Sequence, residues 1–545
     1  ESKQSTPLQS GPIPGYIRGI RKIMEERGEI FEEGDVIMHN DPYGGASHGP
    51  DIGFIVPVFY EGNLVGFSGC TAHHLDIGSL TPGSCGIVEA VDAYAEGLQF
   101  KAIKVYARGE KNIPVWHMLE DNIRTSDLVK GDMEAQIASA QQGAIKFQEL
   151  MAKWGTETVE GSYGDLLSYS ERIMRQAISE LPDGEYSATT YIDGYQYSDD
   201  PMYKDLPLCV TLRVKGDEME VDLTGTAKQL DKPINMPFTG TVDCAIWLTI
   251  RSILLDSKIH GFIPQNTGLI NPIKIYAPPG CMANPIFPAP TIARFCPGNQ
   301  LADTVMKALA QAAPEKISAG IGNLKVISFS GARPEDESKY WVHMEIFEGA
   351  YGGRFGMDGM DAIDTLYANT RNNPIEDIES HLPLRVNKYE LRENAAAPGQ
   401  WRGGLGSIRE FTYLADGGAS VEGEGHKYKP WGFDGGAEGE TAFLKLTDDQ
   451  GTVDMPSKMP YKPAKKGSKF IAVGPAGGGY GNPLLRDPEK VLSDVEDEYI
   501  TAEAAREQYG VVLVAGTNGD GSMLVDAEAT RAAREKMGGP KATPV

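Results

Sequence analysis

The sequence is poor in cysteine, in long apolar runs and in positive charge, and each shortage excludes a class of protein. Six cysteines in 545 residues, without a CxxC pair, are too few for a disulfide-stapled secreted scaffold and favour reduced thiols in a cytoplasmic protein. No apolar run reaches the roughly 18 residues of a membrane-spanning helix, and residues 1–7 do not form a signal peptide. The formal net charge of −25 argues against binding to nucleic acid or to an anionic membrane.

Glycine and proline, in contrast, are plentiful, with 64 and 35 residues spread between short apolar runs. This punctuation predicts many strands joined by loops. The chain also exceeds what one hydrophobic core organises. We therefore predict an α+β fold, multidomain, in which several β-rich units carry long packed helices. The predicted units are an N-terminal region with a long helix (1–160), a β-rich middle domain with buried helices (161–330), a Gly-rich β domain (331–510) and a peripheral C-terminal tail (511–545).

Hydrophobic periodicity locates the main elements within these units. Apolar residues at helical spacing predict helices over residues 16–29, 125–154, 163–180, 241–256 and 303–313, and a short charged helical stretch within 486–508. Runs with strand character predict strands over residues 35–39, 52–59, 64–70, 186–192, 209–214 and 219–223, and more strands within 385–480. The turn 61–63 predicts a hairpin between the second and third of these strands.

Four of the nine histidines lie between positions 39 and 74. His48 and Asp51 belong to a predicted loop, and His73 follows the returning strand of the predicted hairpin. Imidazole and carboxylate groups together suit Zn²⁺, Mn²⁺ or Fe²⁺, and three protein ligands leave a coordination position open for water or substrate. A single histidine of this kind is more often a loop residue that hydrogen-bonds the backbone. The density of histidine and aspartate at neighbouring strand ends nevertheless favours one divalent metal ion bound by His48, Asp51 and His73.

Three further side chains near this cluster are candidate catalytic residues. His73 and His74 point to opposite faces if the segment is extended, so one is expected to bind the metal while the other faces the substrate or an outer shell. Asp76 shares a face with His74 and is expected to orient it. Asp41 is a candidate general base or outer-shell partner.

Several motifs resemble those of the hydantoinase B superfamily. Residues 40–52 (NDPYGGASHGPDI) are similar to its first signature, and residues 72–78 (AHHLDIG) with 82–84 (PGS) are similar to its second. Further matches are DLTGT at 222–226, NNPIE at 372–376 with Glu379, RGGLG at 402–406, PWG at 430–432 and GGGYGNP at 477–483. The resemblance covers residues from about 10 to 510, and the motifs are specific in combination.

The resemblance implies a division of labour between two subunits. A hydantoinase A-like partner would bind ATP and phosphorylate an enol or amide oxygen of the substrate, while this chain would hold the metal and complete the reaction. The absence of the phosphate-binding motif GxxxxGK[ST] agrees with ATP being bound by the partner. If the metal ligands of the family are transferred to the matching positions of this sequence, the resemblance implies that they are His48, Asp51 and His73. Family members usually begin further upstream, with a helix and an acidic stretch, and the resemblance leaves open whether such a segment supplies a further ligand.

Members of the superfamily carry out two kinds of reaction, and the same metal ligands serve both. One is the carboxylation of a ketone of the acetophenone or acetone type, in which an enol or phosphoenol attacks CO₂ derived from bicarbonate. The other is ATP-driven opening of a cyclic amide such as hydantoin, 5-oxoproline or another lactam. We place the carboxylase first, because residues 4–11 lack a His-rich stretch and residues 423–426 (GEGH) are more similar to carboxylase relatives. A third hypothesis is a non-catalytic role in assembly. The intact set of His48, Asp51 and His73 argues against it, because a purely structural subunit would not need an open metal site.

Overall fold

A computed structural model describes residues 13–368, 370–516 and 522–539. The N-terminal part contains a five-stranded antiparallel sheet with the strand order β3-β2-β1-β4-β5. The long helix α3 packs across β2 and β3, and its apolar side chains share a core with theirs. The elements are α1 (Ile13–Arg27), β1 (Val36–His39), β2 (Asp51–Tyr60), β3 (Asn63–His73), β4 (Ile103–Ala107), β5 (Glu110–Lys111), α2 (Ile113–Asn122) and α3 (Ser126–Trp154).

The middle part of the chain forms a four-stranded sheet in the order β6-β7-β8-β9, in which only the β8–β9 pair is parallel. Helix α7 packs on β6 and β7 and against α5, and this packing brings the first turn of α7 to the site described below. The elements are α4 (Thr156–Ser179), β6 (Gly184–Gly194), β7 (Lys204–Lys215), β8 (Glu218–Asp222), α5 (Asp243–Leu254), α6 (Ser257–His260), β9 (Ile273–Tyr276) and α7 (Phe295–Leu309).

Two further antiparallel sheets follow, with the orders β11-β10-β14-β17 and β12-β13-β18-β15-β16. Their facing side chains form one aromatic-rich core around Phe329. The elements are β10 (Lys325–Arg333), β11 (Asp336–Phe347), α8 (Ile375–His381), β12 (Leu384–Leu391), β13 (Ser407–Tyr413), β14 (Gly417–Gly423), β15 (Phe443–Asp448), β16 (Gly451–Met455), β17 (Met459–Ala464) and β18 (Lys469–Val473).

The chain continues into α9 (Pro488–Glu496), α10 (Ala502–Tyr509), the strand pair β19 (Leu513–Ala515) and β20 (Met523–Val525), and α11 (Ala527–Lys536). Val511 joins a buried cluster with Val491 and Tyr509. The side chain of Arg534 on α11 donates a hydrogen bond to the Arg486 carbonyl oxygen at 2.7 Å. The predicted division of the chain into four units stays a prediction.

The α+β class is as predicted, and most predicted elements differ from the observed ones by a few residues. The predicted helix 125–154 is α3, and Gly155, with φ +79°, separates it from α4. The predicted helix over 303–313 is misplaced, because α7 runs from Phe295 to Leu309. Pro297 does not prevent this earlier start, because it lies in the first turn of α7, where its missing N–H has no partner within the helix. In the described ranges no helix has the length and apolarity needed to cross a bilayer.

Candidate metal centre

Three side-chain atoms of His48, Asp51 and His73 converge on one point. Oδ1 of Asp51 lies 3.1 Å from Nε2 of His48 and 3.0 Å from Nδ1 of His73, and the two imidazole nitrogens are 3.0 Å apart. Among the described residues, this is the one group of three or more His, Cys, Asp or Glu side chains arranged so that they could hold a metal ion. The structure therefore brings together the three residues that the sequence pattern selected.

The register of the β2–β3 hairpin places two of these residues side by side. Asp51 is the first residue of β2 and His73 is the last residue of β3, and they are direct cross-strand partners. Opposed residues of an antiparallel pair have Cβ atoms about 4.5–5.5 Å apart, so their polar atoms can reach one ligand. A one-residue slip of this register would turn one of the two side chains to the other face.

The third residue, His48, belongs to the loop before β2. Its Nδ1 lies 3.0 Å from the carbonyl oxygen of Ile292 and donates to it, which leaves Nε2 free to accept a metal ion. The Ile292 segment is itself fixed by Glu96, whose Oε1 accepts the backbone N–H groups of Thr291 at 2.5 Å and Ile292 at 2.7 Å. The imidazole orientation therefore depends on a loop far away in sequence.

Arg294 completes the surroundings of the carboxylate. Its guanidinium donates to Oδ2 of Asp51 at 2.9 Å, and the Ser47 hydroxyl donates to the same oxygen. Sequence reasoning missed Arg294, because no local pattern links it to a partner 243 positions away. The one signal for Arg294 in the sequence was its position between the apolar residues Ile292 and Phe295, just before a buried helix.

The charges of the cluster suit a divalent cation. Burial lowers the pKa of His48 to about 4, with Arg294 acting in the same direction, so the imidazole is neutral at pH 7. Burial acts to raise the pKa of Asp51, but His48 and Arg294 outweigh it and hold this pKa well below its ordinary value. Neutral imidazole and ionised carboxylate are the forms that bind metal.

The geometry also fits a metal ion. Ligand atoms about 3 Å apart match neighbouring positions around an ion with bonds of about 2.1 Å. Three protein ligands on one side leave the other side of such an ion open to the pocket. The donor set suits Zn²⁺, Mn²⁺ and Fe²⁺ alike.

A cavity of about 300 Å³ adjoins the cluster. The N-terminal part of the chain provides one part of its wall, including Tyr16 of α1 and Ala72 of β3, and β10 and β11 provide another part, including Val326 and Met344. The walls are largely apolar with a few polar groups, as in sites for small organic ligands. Sequence analysis did not predict the contribution of β10, β11 and residues 370–373 to this pocket.

The predicted catalytic residues His74 and Asp76 are not among the described residues that line this cavity. His74 is buried, and its Nε2 lies 2.7 Å from Oε1 of Gln136 on α3. Asp76 pairs with Arg124 at 3.0 Å and accepts the backbone N–H of Gly83 at 3.0 Å. The expected contact in which Asp76 orients His74 is not formed within the described structure. Both side chains instead tie the segment after β3 to its surroundings.

Asp41, the third predicted catalytic residue, also lies outside the described pocket lining. Its side chain accepts the Tyr43 backbone N–H at 3.1 Å and so caps the short 3₁₀ turn Pro42–Gly44. It also pairs with Lys101 at 3.3 Å. These partners favour a structural role, and a catalytic role for Asp41, His74 and Asp76 stays a prediction.

Comparison with known proteins shows the family of this chain. The family model described as Hydantoinase B/oxoprolinase matches residues 3–483, and the chain belongs to this family. The resemblance found in the sequence motifs is thereby confirmed.

One sequence relative and two solved structures show which individual proteins the chain is similar to. The chain is 64% identical over 516 residues to the B-type subunit of a "Putative D-/L-hydantoinase" of Pseudomonas sp. (strain NS671), covering 94% of this chain and 87% of that protein. It is similar to the crystal structure of the ATP-dependent caprolactamase from Pseudomonas jessenii, with a TM-score of 0.84 and 28% identity over 98% of this chain and 90% of that one. A nucleotide-free acetone carboxylase structure has a TM-score of 0.86 at 19% identity over 97% of this chain and 75% of that one, and it shows the shared fold alone.

Proposed function

We propose that this chain is the metal-holding subunit of an ATP-dependent cyclic amide hydrolase of the hydantoinase type. The 64% identity to a protein named as a hydantoinase subunit, across 94% of the chain, is the observation that carries the choice of reaction. It favours amide hydrolysis over ketone carboxylation, which was the first hypothesis from the sequence motifs. The B-type designation of that relative also supports a hydantoinase A-like partner, which would bind ATP and phosphorylate the amide oxygen.

The site supports a catalytic role for this chain rather than assembly alone. His48, Asp51 and His73 would hold the ion, and Arg294 fixes the carboxylate that binds it. A divalent ion bound there would polarise the substrate and lower the pKa of water for attack on the amide carbon. The pocket of about 300 Å³ has room for a small ring, and its apolar walls would exclude bulk water from the activated substrate.

The ketone carboxylase is the second candidate. The TM-score of 0.86 to acetone carboxylase shows a common fold and not a common reaction. Of the two sequence segments that favoured the carboxylase, residues 4–11 lie outside the described residues. In the other, residues 423–426, Glu424 forms a buried ion pair with Lys458 and is not part of the described pocket lining.

The proposal is tested on the natively purified complex of both subunits. ATP hydrolysis is measured with hydantoin and with 5-oxoproline, and separately with acetophenone plus bicarbonate, and the metal content is read on the same sample. We expect turnover on a cyclic amide without bicarbonate and loss of that turnover in His73→Ala. Turnover only with ketone and bicarbonate would transfer the chain to the carboxylases, and a fully active complex without metal would refute the metal role.

A further inference from the structure

A buried glutamate, Glu422, lines the same cavity as the metal cluster. It lies on β14 opposite Val326 of β10 and is only 5% exposed. One carboxyl oxygen, Oε1, accepts the backbone N–H of Cys296 in the first turn of α7 at 2.7 Å. This bond fixes the carboxyl group in the wall of the pocket.

Glu422 differs from the other acidic residues in the described lining of this pocket, which are Asp51 and Glu345. Asp51 is paired with Arg294 at 2.9 Å, and Glu345 lies 2.7 Å from the Arg409 guanidinium. No described Lys, Arg or His is in ion-pair contact with Glu422. A buried carboxyl group without a counter-ion is more stable when it is protonated.

Neighbouring Glu424 differs from Glu422 in having direct polar partners, although burial raises its pKa as well, to about 7. It is equally buried, but it contacts the Lys458 ammonium group directly and accepts the Asp193 backbone N–H at 2.8 Å. Glu422 has no such direct ion pair among the described residues, and its burial is offset by the Cys296 N–H, by the more distant charges of Arg294 and Lys458, and by the Phe295 N–H. Burial still raises the pKa of Glu422 above its ordinary value, although these four groups oppose the shift.

Three other protic groups around the pocket are engaged or are poor acids. The Tyr16 hydroxyl donates to the Asp51 backbone oxygen at 2.5 Å, and the Ser47 hydroxyl donates to the Asp51 carboxylate. Burial raises the pKa of the Cys85 thiol far above its ordinary value, so it gives up a proton poorly. Glu422 is therefore the best-placed acid in the described pocket wall.

We propose that Glu422 is the proton donor to the ring nitrogen when the activated cyclic amide opens. This inference rests on the proposed function. It needs two co-reactants, which are a cyclic amide phosphorylated on its oxygen by the ATP-binding partner and water, one molecule for ring opening and a second for hydrolysis of the acyl phosphate.

The chemistry of ring opening shows why a donor is required. Water adds to the activated carbon, which then bears a hydroxyl, a phosphoryl oxygen and the ring N–H. If the bond to the phosphoryl oxygen breaks, phosphate leaves and the intact amide returns, so that ATP is consumed without product. If the carbon–nitrogen bond breaks, the ring opens to an acyl phosphate, whose hydrolysis gives the carboxylate and phosphate.

A proton decides between these two outcomes, because an amide nitrogen leaves poorly as an anion. The Glu422 carboxyl group gives its proton to the nitrogen, and the electron pair of the breaking carbon–nitrogen bond stays on that nitrogen. The added hydroxyl loses its proton as its oxygen becomes a carbonyl, and this proton restores Glu422. Glu422 would therefore couple ATP consumption to ring opening.

The test is to measure phosphate release and ring opening by the two-subunit complex, supplied with ATP and hydantoin. Glu422→Gln keeps an acceptor for the Cys296 N–H but has no acidic proton. We expect ring opening to fall by about 100-fold or more, the usual size of a lost proton donor, while phosphate release falls much less. The ratio of phosphate to opened ring should therefore rise strongly. A Glu422→Gln complex with the wild-type ratio would overturn the proposal.

Two further variants separate proton transfer from a change in folding. Glu89→Gln is a matched control, because Glu89 also accepts a backbone N–H, that of Tyr461 at 2.8 Å, and is not in the described pocket lining; its ratio should equal that of the wild type. Glu422→Asp keeps an acidic proton and should therefore raise the ratio much less than Glu422→Gln does. A ratio raised in Glu422→Asp as much as in Glu422→Gln would refute the proton as the cause. If Glu422→Gln fails to fold, a folded Glu422→Asp complex whose ratio rises by about 100-fold would refute it in the same way. A wild-type complex that opens no ring would refute the proposed function instead.

Discussion

The Arg294 guanidinium lies 2.9 Å from Oδ2 of Asp51, while Oδ1 of the same carboxylate faces His48 and His73 at 3.1 and 3.0 Å. The two oxygens of one side chain thus have separate partners. Loss of a group that holds a metal ligand in place typically lowers metal affinity by about 10–100-fold. Arg294 therefore belongs to the metal centre although it cannot bind a cation.

Replacing Arg294 by glutamine should weaken metal binding by about 10–100-fold, the usual effect of losing an outer-shell partner. Without the guanidinium, the Asp51 carboxylate can rotate and its charge is less stabilised. The measurement is a competition titration with a chelator of known affinity. Arg124→Gln is the matched control, because Arg124 pairs with Asp76 outside the described pocket lining. Equal affinities for the two variants would contradict this role of Arg294.

Removing a ligand should have a larger effect than removing its support. His73→Ala deletes one of the three converging atoms, and we expect metal affinity to fall by more than about 100-fold, beyond the outer-shell range. Metal content after dialysis, read by elemental analysis, measures this loss. His381→Ala removes an exposed histidine of α8 and should retain the wild-type content. Full metal occupancy in His73→Ala would show that the ion binds elsewhere.

The sequence was sufficient for the hairpin that carries the centre. Strand character on both sides of a tight turn predicted β2 and β3, and the polar residues at their ends predicted the ligands. The sequence could not show that His74 turns to Gln136 on α3, because that contact depends on how a helix packs across the sheet. Periodicity tells which face a residue occupies and not which neighbour it meets.

Residues contributed by distant parts of the chain were missed for the same reason. Arg294 reaches Asp51 across 243 positions and Glu422 reaches Cys296 across 126. Neither belongs to a local motif with metal-ligand or acid–base spacing. Only the packing of β10, β14 and α7 next to the N-terminal sheet brings them to the pocket.

The loop that carries His48 depends on a close backbone contact between α1 and the turn Pro42–Gly44. A Cβ atom on Gly19 would lie 1.8 Å from the carbonyl oxygen of Gly44, so Gly19→Ala must displace the helix or the turn. We expect a loss of about 1–3 kcal/mol in the free energy of unfolding, typical of overpacking, together with weaker metal binding. Both are measured on one preparation, by urea denaturation and by metal titration.

The chain offers an internal control for this substitution. Gly164 lies on the exposed side of α4, and a Cβ atom added there would have no neighbouring atom within 4 Å. Gly164→Ala should raise the free energy of unfolding by about 0.5–1 kcal/mol, since alanine favours a helix over glycine. Destabilisation of equal size in both variants would show that the contact with Gly44 is not the cause.

Glu96 holds the segment whose Ile292 carbonyl accepts the His48 imidazole N–H, and its titration should make the stability of the protein depend on pH. Burial raises the pKa of Glu96 to about 8, against the opposing backbone N–H groups of Ile292 and Thr291. A carboxyl group whose pKa is higher in the folded than in the unfolded state contributes stability that is complete below the unfolded pKa and is lost as pH rises through the folded pKa. The wild type should therefore lose stability relative to Glu96→Gln between about pH 5 and about pH 8, by at most about 1.4 kcal/mol per pH unit. Urea denaturation of both proteins across this pH range measures the difference in their free energies of unfolding. A difference that stays constant, or that grows in favour of the wild type, would show that Glu96 is ionised in the folded protein throughout the range.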